Sequence, residues 1–473
     1  MLALLQLTSC SFIIIGGAGK DGALSTDTDT QFETAPEDDN YIEGRFDSAR
    51  AEAKAALDAV PEGNYDGMMF LFVCSDVGSA FGDAGNERVL PREKYARIKT
   101  LNERLNTDII LSEGPYDEIA EGLMTNENSG MVFAHLLEVE VFRVGTLAQA
   151  GLVGNMHARP FIDFTKPYYD SNFVEDMETP SGLFAIYGDA CLDAYKPKAV
   201  YYNERLALES GVADLESAVH EGTWTLDKLA ECVKMAEASS DLGSYCGAVI
   251  PETADFLRTV YVGAGLKSTK LEGGELTLQD NNEKVDSIIA KLREFLPMCV
   301  TDTDDELPAE QIFMEGGALF YIGSLNGVLD FYHMDDTWGV LPVPTVDGGV
   351  DYRSAVHPYT QVVCYPSTGV KAAETYVMID SLFACSYKIL DAALEDDFLH
   401  GYARNAKPLE MLGYITSGVR FDLLDGYKDV CPRARQAAFL TLEQSYWDNI
   451  PYSEQFDKVK ADGNADLALV KKP

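Results

Sequence analysis

Met68-Met69-Phe70-Leu71-Phe72-Val73-Cys74 is an unbroken apolar run of strand length. A strand with one wet face would alternate apolar and polar residues, so this one is expected to be covered on both faces by helices. The pattern changes on moving outward. Pro91 opens a segment in which Tyr95, Ile98, Leu101 and Leu105 recur at helical spacing. Residues 108–112 then read as a strand, 116–124 as a helix and 131–135 as a third strand. Strands alternating with helices predict a mainly parallel sheet flanked by helices.

The same style returns further along. Thr225 is placed to cap a helix with Asp227 in its first turn and Leu226, Leu229 and Val233 facing inward. Val285, Ile288, Ile289, Leu292 and Phe295 mark a second amphipathic helix. Residues 246–250 and a run ending at Gly323-Ser324 read as strands, as does 360–364. A long helix is predicted over 372–390, after the turn Pro366-Ser367-Thr368. At 473 residues the chain exceeds one ordinary core, so two α/β domains are expected.

A formal charge of −40 argues against nucleic acid and anionic lipid headgroups as partners, because both need a basic surface. The nine cysteines contain no C-x-x-C pair, and the six histidines show no metal-ligand spacing. Cys74, Cys364 and Cys385 lie in apolar runs and read as small buried hydrophobes; no disulfide pairing follows from the spacing of the rest. Gly17-Ala18-Gly19-Lys20-Asp21-Gly22 formally matches a dinucleotide fingerprint, but no helix follows whose N-terminus could hold a pyrophosphate. Asp302, Asp304, Asp305 and Glu306 lack the glycine and terminal glutamate of a calcium loop and read as solvated. No Gly-x-Ser-x-Gly elbow occurs. No catalytic constellation, metal or cofactor is therefore expected.

Residues 1–15 are apolar and contain Leu7-Thr8-Ser9-Cys10, which looks like a bacterial lipobox, with Cys10 as the lipidated residue. Residues 16–44 are rich in Gly, Ser, Thr, Asp and Glu, a composition that cannot offset ordering entropy by burial and reads as a tether. An Ala-rich helical patch around 47–60 follows.

Four stretches in the middle of the chain share a family pattern. They are Phe-Ile-Asp-Phe-Thr-Lys-Pro-Tyr-Tyr-Asp (161–170), Gly-Leu-Phe-Ala-Ile-Tyr-Gly-Asp (182–189), Ala-Val-Tyr-Tyr-Asn-Glu-Arg-Leu (199–206) and Gly-Thr-Trp-Thr-Leu-Asp-Lys-Leu (222–229). Gly-Ala-Leu-Phe-Tyr-Ile-Gly-Ser (317–324), Trp-Gly-Val-Leu-Pro-Val-Pro (338–344) and Tyr-Arg-Ser-Ala-Val-His-Pro-Tyr (352–359) continue it. In order and spacing these resemble the extracellular solute-binding proteins of family 1, which deliver sugars to ABC importers. The resemblance implies a two-lobed periplasmic-binding-protein-like α/β fold, each lobe a mainly parallel sheet flanked by helices, joined by a hinge that closes on a ligand. It sets the first lobe at 63–190 plus 345–390 and the second at 191–344 plus 391–473, after a signal segment 1–15 and a tether with helix 16–62. Tyr168 and Tyr169, where the family often has tryptophans, read as braces of the first lobe, and Trp224 reads as structural because it immediately precedes a helix cap.

Ligands of such sheets sit beyond the C-terminal strand ends. That selects Asp76 with Ser75, Glu113 with Tyr116, and His135; in the second lobe it selects Glu252, Thr253 and Ser324. His357 and Tyr359 lie on the loop before Thr360, and the resemblance places Asp189 near the crossing. Sugars present hydroxyls and flat C–H faces, which suits carboxylates beside aromatic rings. The expected protein is a lipid-anchored, extracytoplasmic monomer that binds a carbohydrate and presents it to ABC permease subunits without turnover. The same fold binding a peptide or other polar solute, a glycan-active enzyme and a surface adhesin are the alternatives.

Overall fold

The computed structural model describes residues 39–470, except 130–131, 159–161, 193–196, 241–242, 304–306, 326–330, 332–333, 369–371 and 403–407. The Cys10 motif, the tether as far as residue 38 and His333 thus lie outside the described residues. The chain divides into two compact units, one of residues 1–171, 183–192 and 361–397, the other of 172–182, 193–360 and 398–473.

In the first unit Met68–Cys74 is a strand at the middle of a four-stranded sheet. Thr107–Glu113 runs parallel on one side of it and Leu136–Glu140 parallel on the other, with Gln361–Cys364 antiparallel at the far edge. The third strand is therefore Leu136–Glu140 and not 131–135. His135 precedes it, accepts the Leu71 amide at 2.9 Å through Nδ1 and stacks on Phe70, which removes it from the strand ends. The helix Val89–Leu105 buries Leu90, Lys94, Arg97, Leu101 and Leu105. Its first amides are capped by the Asp397 carboxylate, at 2.6 Å from Val89 and 3.0 Å from Leu90. Arg97 is 3% exposed, and its guanidinium is spent on the carbonyls of Ala80, Lys94 and Ala190 and the Ser386 hydroxyl.

The long helix predicted over 372–390 ends at Ser386. Lys388 adopts φ +57, and a new helix runs from Ile389 to Tyr402. The helix Asp39–Asp58, expected around 47–60, packs on Ala372–Ser386 and buries Phe46, Ala49, Ala53 and Leu57. Tyr168 and Tyr169 do brace this unit: both hydroxyls donate to the buried Asp380 carboxylate, at 2.9 and 2.7 Å, beside the Lys166 ammonium at 2.7 Å.

In the second unit the sheet has five strands, in the order Trp338–Leu341, Lys198–Asn203, Ala318–Ser324, Cys246–Ile250, Val300–Thr301. Lys198–Asn203 runs antiparallel to both of its neighbours, while Cys246–Ile250 runs parallel to Ala318–Ser324 and Val300–Thr301 parallel to Cys246–Ile250, so the sheet is mixed. Thr225 caps Leu226–Ser239 through the Lys228 amide at 3.2 Å, and Leu226, Leu229, Cys232, Val233 and Ala236 form the buried stripe. Trp224 is fully buried, its indole donating to the Pro342 carbonyl at 2.8 Å. Gly273 and Gly274, at φ +61 and +82, turn the hairpin of Thr269–Glu272 and Glu275–Leu278, a conformation that suits residues without Cβ.

Two segments join this unit rather than the first. Residues 172–182 do so because Phe173 packs edge-on against Phe421 and Asp176 accepts the Phe421 amide. Residues 345–360 do so because Ser354 pairs with Val419 and its hydroxyl bridges the Lys198 amide and carbonyl, at 2.8 and 2.7 Å.

A buried acid in this unit carries a pH dependence. Asp422 accepts from Ser268 and the Leu424 amide; burial, then the neighbouring Asp425 carboxylate, push its carboxyl up to about 6 from 3.8, against the pull of Arg258. Its folded value lies above the unfolded one, so the stability it lends is complete below about 3.8 and fades as pH rises through about 6. Asp422→Asn bears a constant cost for the acceptor lost at Ser268, but its stability should fall less than that of wild type between about pH 4 and about pH 7. Urea unfolding of both across that range checks it; parallel pH profiles would contradict it.

Candidate functional site

The C-terminal ends of the parallel strands in the first unit gather four of the expected residues, Ser75, Asp76, Glu113 and Tyr116. Cys74 is level with Glu113 in the ladder, which brings Asp76 and Glu113 to one edge. Both carboxylates serve the short helix Val77–Phe81: Asp76 accepts the Ser79 amide and Glu113 the Val77 amide, each at 2.9 Å. Each remains exposed to solvent. Tyr116 lies under the Arg143 guanidinium at 4.0 Å. Gln361 reaches Ser75 on the same edge, its amide nitrogen 3.3 Å from the hydroxyl.

In the second unit the strand ends enclose a concavity of about 240 Å³. Lys198, Glu252, Asp255, Glu310, Tyr321, Ser324 and His357 supply its polar lining, with Ile250, Phe256 and Ile322 among the apolar walls. The register explains the gathering. Lys198 opens its strand directly opposite Ser324, the last residue of the antiparallel neighbour. Ile250 ends the adjacent parallel strand, and the helix Thr253–Gly263 follows at once, presenting Asp255, Phe256 and Thr259 on one face.

One ion pair lies in this lining. The Lys198 ammonium bonds the Asp255 carboxylate and stands 3.3 Å from the Ser324 hydroxyl. Burial would raise the Asp255 carboxyl, yet Lys198, helped by Arg258 and His357, holds it below the usual carboxylate range. Glu310 accepts the Tyr321 hydroxyl at 2.6 Å. Behind the wall, Arg258 bonds Asp425 and donates to the Val356 carbonyl at 3.1 Å, fixing the loop that carries His357. On that loop the His357 and Tyr359 rings stack at 5.0 Å and 17°, with Tyr359 52% exposed.

Of the expected residues, Glu252, Ser324 and His357 line this pocket and Tyr359 stacks beside it. Thr253 lies beneath: it is 1% exposed, with hydroxyl and amide both bonded to Asp302, at 2.7 and 2.9 Å. Asp302 is accordingly not a purely solvated acid, as its reading as part of a loop run supposed, but the cap of the pocket helix; residues 304–306 lie outside the described residues. Asp189 belongs to the first unit. Its carboxylate accepts the Lys388 amide at 2.9 Å, and burial, with the Asp391 carboxylate nearby, pushes it up to about 8. Lys198, Asp255, Glu310 and Tyr321 were not anticipated. Glu252, Asp255 and Thr259 share a helical spacing that could have flagged Asp255; Lys198, at the head of an apolar strand, gives no such signal. No group of three or more His, Cys, Asp or Glu side chains arranged to hold a metal occurs among the described residues.

No protein-family model and no curated protein sequence matches the chain. Solved structures do. A cyclo/maltodextrin-binding protein complexed with maltotetraose superposes with a TM-score of 0.57 at 13% identity, over 87% of this chain and 100% of that one. An extracellular solute-binding protein of family 1 from Alicyclobacillus acidocaldarius gives 0.51 at 14% identity, over 85% and 99%. UgpB from Mycobacterium tuberculosis, in complex with glycerophosphocholine, gives 0.53 at 11%, over 85% and 98%. At such identities the likeness establishes the fold: the chain has the α/β fold of ABC substrate-binding proteins, as the motifs at 161–229 and 317–359 imply. These neighbours are binding proteins rather than enzymes.

Proposed function

We propose that this protein is an extracytoplasmic solute-binding protein that captures a carbohydrate and delivers it to an ABC importer without turning it over. The observation that carries the reading is the second-unit pocket, at the strand ends where this kind of sheet receives ligands. Lys198, Asp255, Glu252 and Ser324 offer paired donors and acceptors for sugar hydroxyls, and the exposed Tyr359 ring, stacked on His357, offers a face for C–H groups. Asp76, Glu113 and Tyr116 are proposed as the ligand-facing residues of the first unit, whereas Asp189, held by Lys388, acts on its own unit's fold.

A thermal-shift screen of the purified chain against mono- and oligosaccharides, maltotetraose included, tests the reading, because binding to the folded state raises the melting temperature. At least one sugar is expected to raise it, with no release of reducing ends on long incubation. A second reading has its own support: Glu252, Asp255 and Glu310 outnumber Lys198 in the lining, which suits a cationic polar solute. Stabilisation by glycerophosphocholine or a basic peptide, with every sugar silent, would favour it.

The anchor is proposed on the Leu7–Cys10 motif. No helix among the described residues is long and apolar enough to cross a membrane. Cys10→Ala should move the protein from the membrane fraction to the soluble one; unchanged fractionation would remove the lipid.

A further inference from the structure

The described cysteines fall into two groups. Cys74, Cys191, Cys232, Cys364, Cys385 and Cys431 are buried, while Cys246 and Cys299 are half-buried. These two are neighbours. Cys246 opens the strand Cys246–Ile250, and Cys299 immediately precedes its parallel partner Val300–Thr301. The register sets Val249 level with Val300, so one residue back Cys299 stands level with Ala248. Side chains alternate along a strand, which puts Cys246, two residues before Ala248, on the same face as Cys299. The Cys246 thiol donates along its own strand to the Ala248 carbonyl at 3.4 Å, with the Val300 amide against its sulfur, while the Cys299 thiol donates to the Phe295 carbonyl at 3.6 Å.

We infer that Cys246 and Cys299 form a disulfide that pins the short edge strand Val300–Thr301 to its neighbour. Offset by two residues on neighbouring strands, the two Cα atoms stand roughly 8 Å apart, so the bond requires the two-residue edge strand to slide toward its neighbour until they fall within the usual disulfide separation. What the bond would hold is functional. The next residue, Asp302, caps the helix that carries Asp255 into the pocket, through its bonds to Thr253. Burial raises both thiols, Cys246 to about 11, and the Glu237 carboxylate, which accepts the Gly247 amide at 2.6 Å, adds negative charge beside them. Neither is a strong nucleophile at neutral pH, which fits a structural bond better than a catalytic one.

The bond would arise by exchange with a small-molecule disulfide. One thiolate attacks the reagent's S–S bond and expels a thiolate, leaving a mixed disulfide. The second thiolate then attacks the protein sulfur of that mixed disulfide and expels the other half. Both protein protons end on the two reagent thiols, and two electrons pass from protein to reagent.

The test incubates the purified full chain with oxidised glutathione at mildly alkaline pH, alkylates remaining thiols under native conditions, and maps peptides without reduction. The expected product is a peptide pair joined through Cys246 and Cys299, lighter by two hydrogens than the two separate peptides, with neither cysteine alkylated. Before oxidation both should alkylate. Cys246→Ser and Cys299→Ser, checked for native circular dichroism, should each leave a glutathione adduct on the surviving cysteine. Alkylation of both cysteines after oxidation, stable glutathione adducts on both in the wild type, or a link from either to a different cysteine would each overturn the inference.

Discussion

Asp255→Ala is expected to destabilise the protein by about 3–5 kcal/mol and to weaken carbohydrate binding at least about ten- to a hundred-fold. The Lys198 side chain is 9% exposed and Asp255 is its charge partner, so truncation leaves an ammonium in the pocket wall with the Ser324 hydroxyl as its remaining bonded partner among the described residues. Affinity falls for a second reason. A carboxylate accepting sugar hydroxyls makes charge-assisted hydrogen bonds worth about 1.5–3 kcal/mol. The double replacement Lys198→Met with Asp255→Leu separates the two effects. Swapping a buried ion pair for apolar residues of similar volume is often neutral, so stability should largely return. Binding should not. Chemical denaturation and calorimetry on both variants decide the matter, and recovered affinity in the double variant would take the pair out of the site.

The second large effect is expected in the first unit. Asp380 is 3% exposed and is shared by the Tyr168 and Tyr169 hydroxyls and the Lys166 ammonium. Asp380→Ala leaves two buried hydroxyls and a partly buried cation unpaired, at a cost of about 3–5 kcal/mol. Asp380→Asn keeps the shape and one acceptor and should cost less. A urea midpoint unchanged in Asp380→Ala would contradict the bracing role read from this tyrosine pair.

The sequence discloses the fold where local pattern and tertiary demand agree. In Met68–Cys74 the residues Phe70, Phe72, Val73 and Cys74 are buried as the apolar run predicts, although Met69 is 63% exposed, and Thr225 caps a helix whose stripe is already visible in Leu226, Leu229 and Val233. It misleads where they part. The apolar residues 131–135 look like a strand, but the ladder takes Leu136–Glu140, whose acids Glu138 and Glu140 break the apolar pattern although Glu138 is 3% exposed. Nothing local stops the helix at Ser386; the break at Lys388 depends on the Asp189 carboxylate, which comes from a distant part of the chain.

The site divides in the same way. Glu252, Ser324 and His357 follow from the rule that ligands sit at strand ends, which needs only the strand boundaries. Lys198 and Asp255 are made a pair by folding, and the Thr253–Asp302 bond, which turns an expected ligand contact into a cap, joins a helix start to a loop far along the chain.

Titration calorimetry of the full chain and of Asp255→Ala, using whichever sugar raises the melting temperature, tests the central claim most directly. The account predicts saturable binding with one site per chain, weakened at least about ten-fold in the variant under conditions where it remains folded. No binding of any carbohydrate, or equal affinity in both proteins, would contradict it.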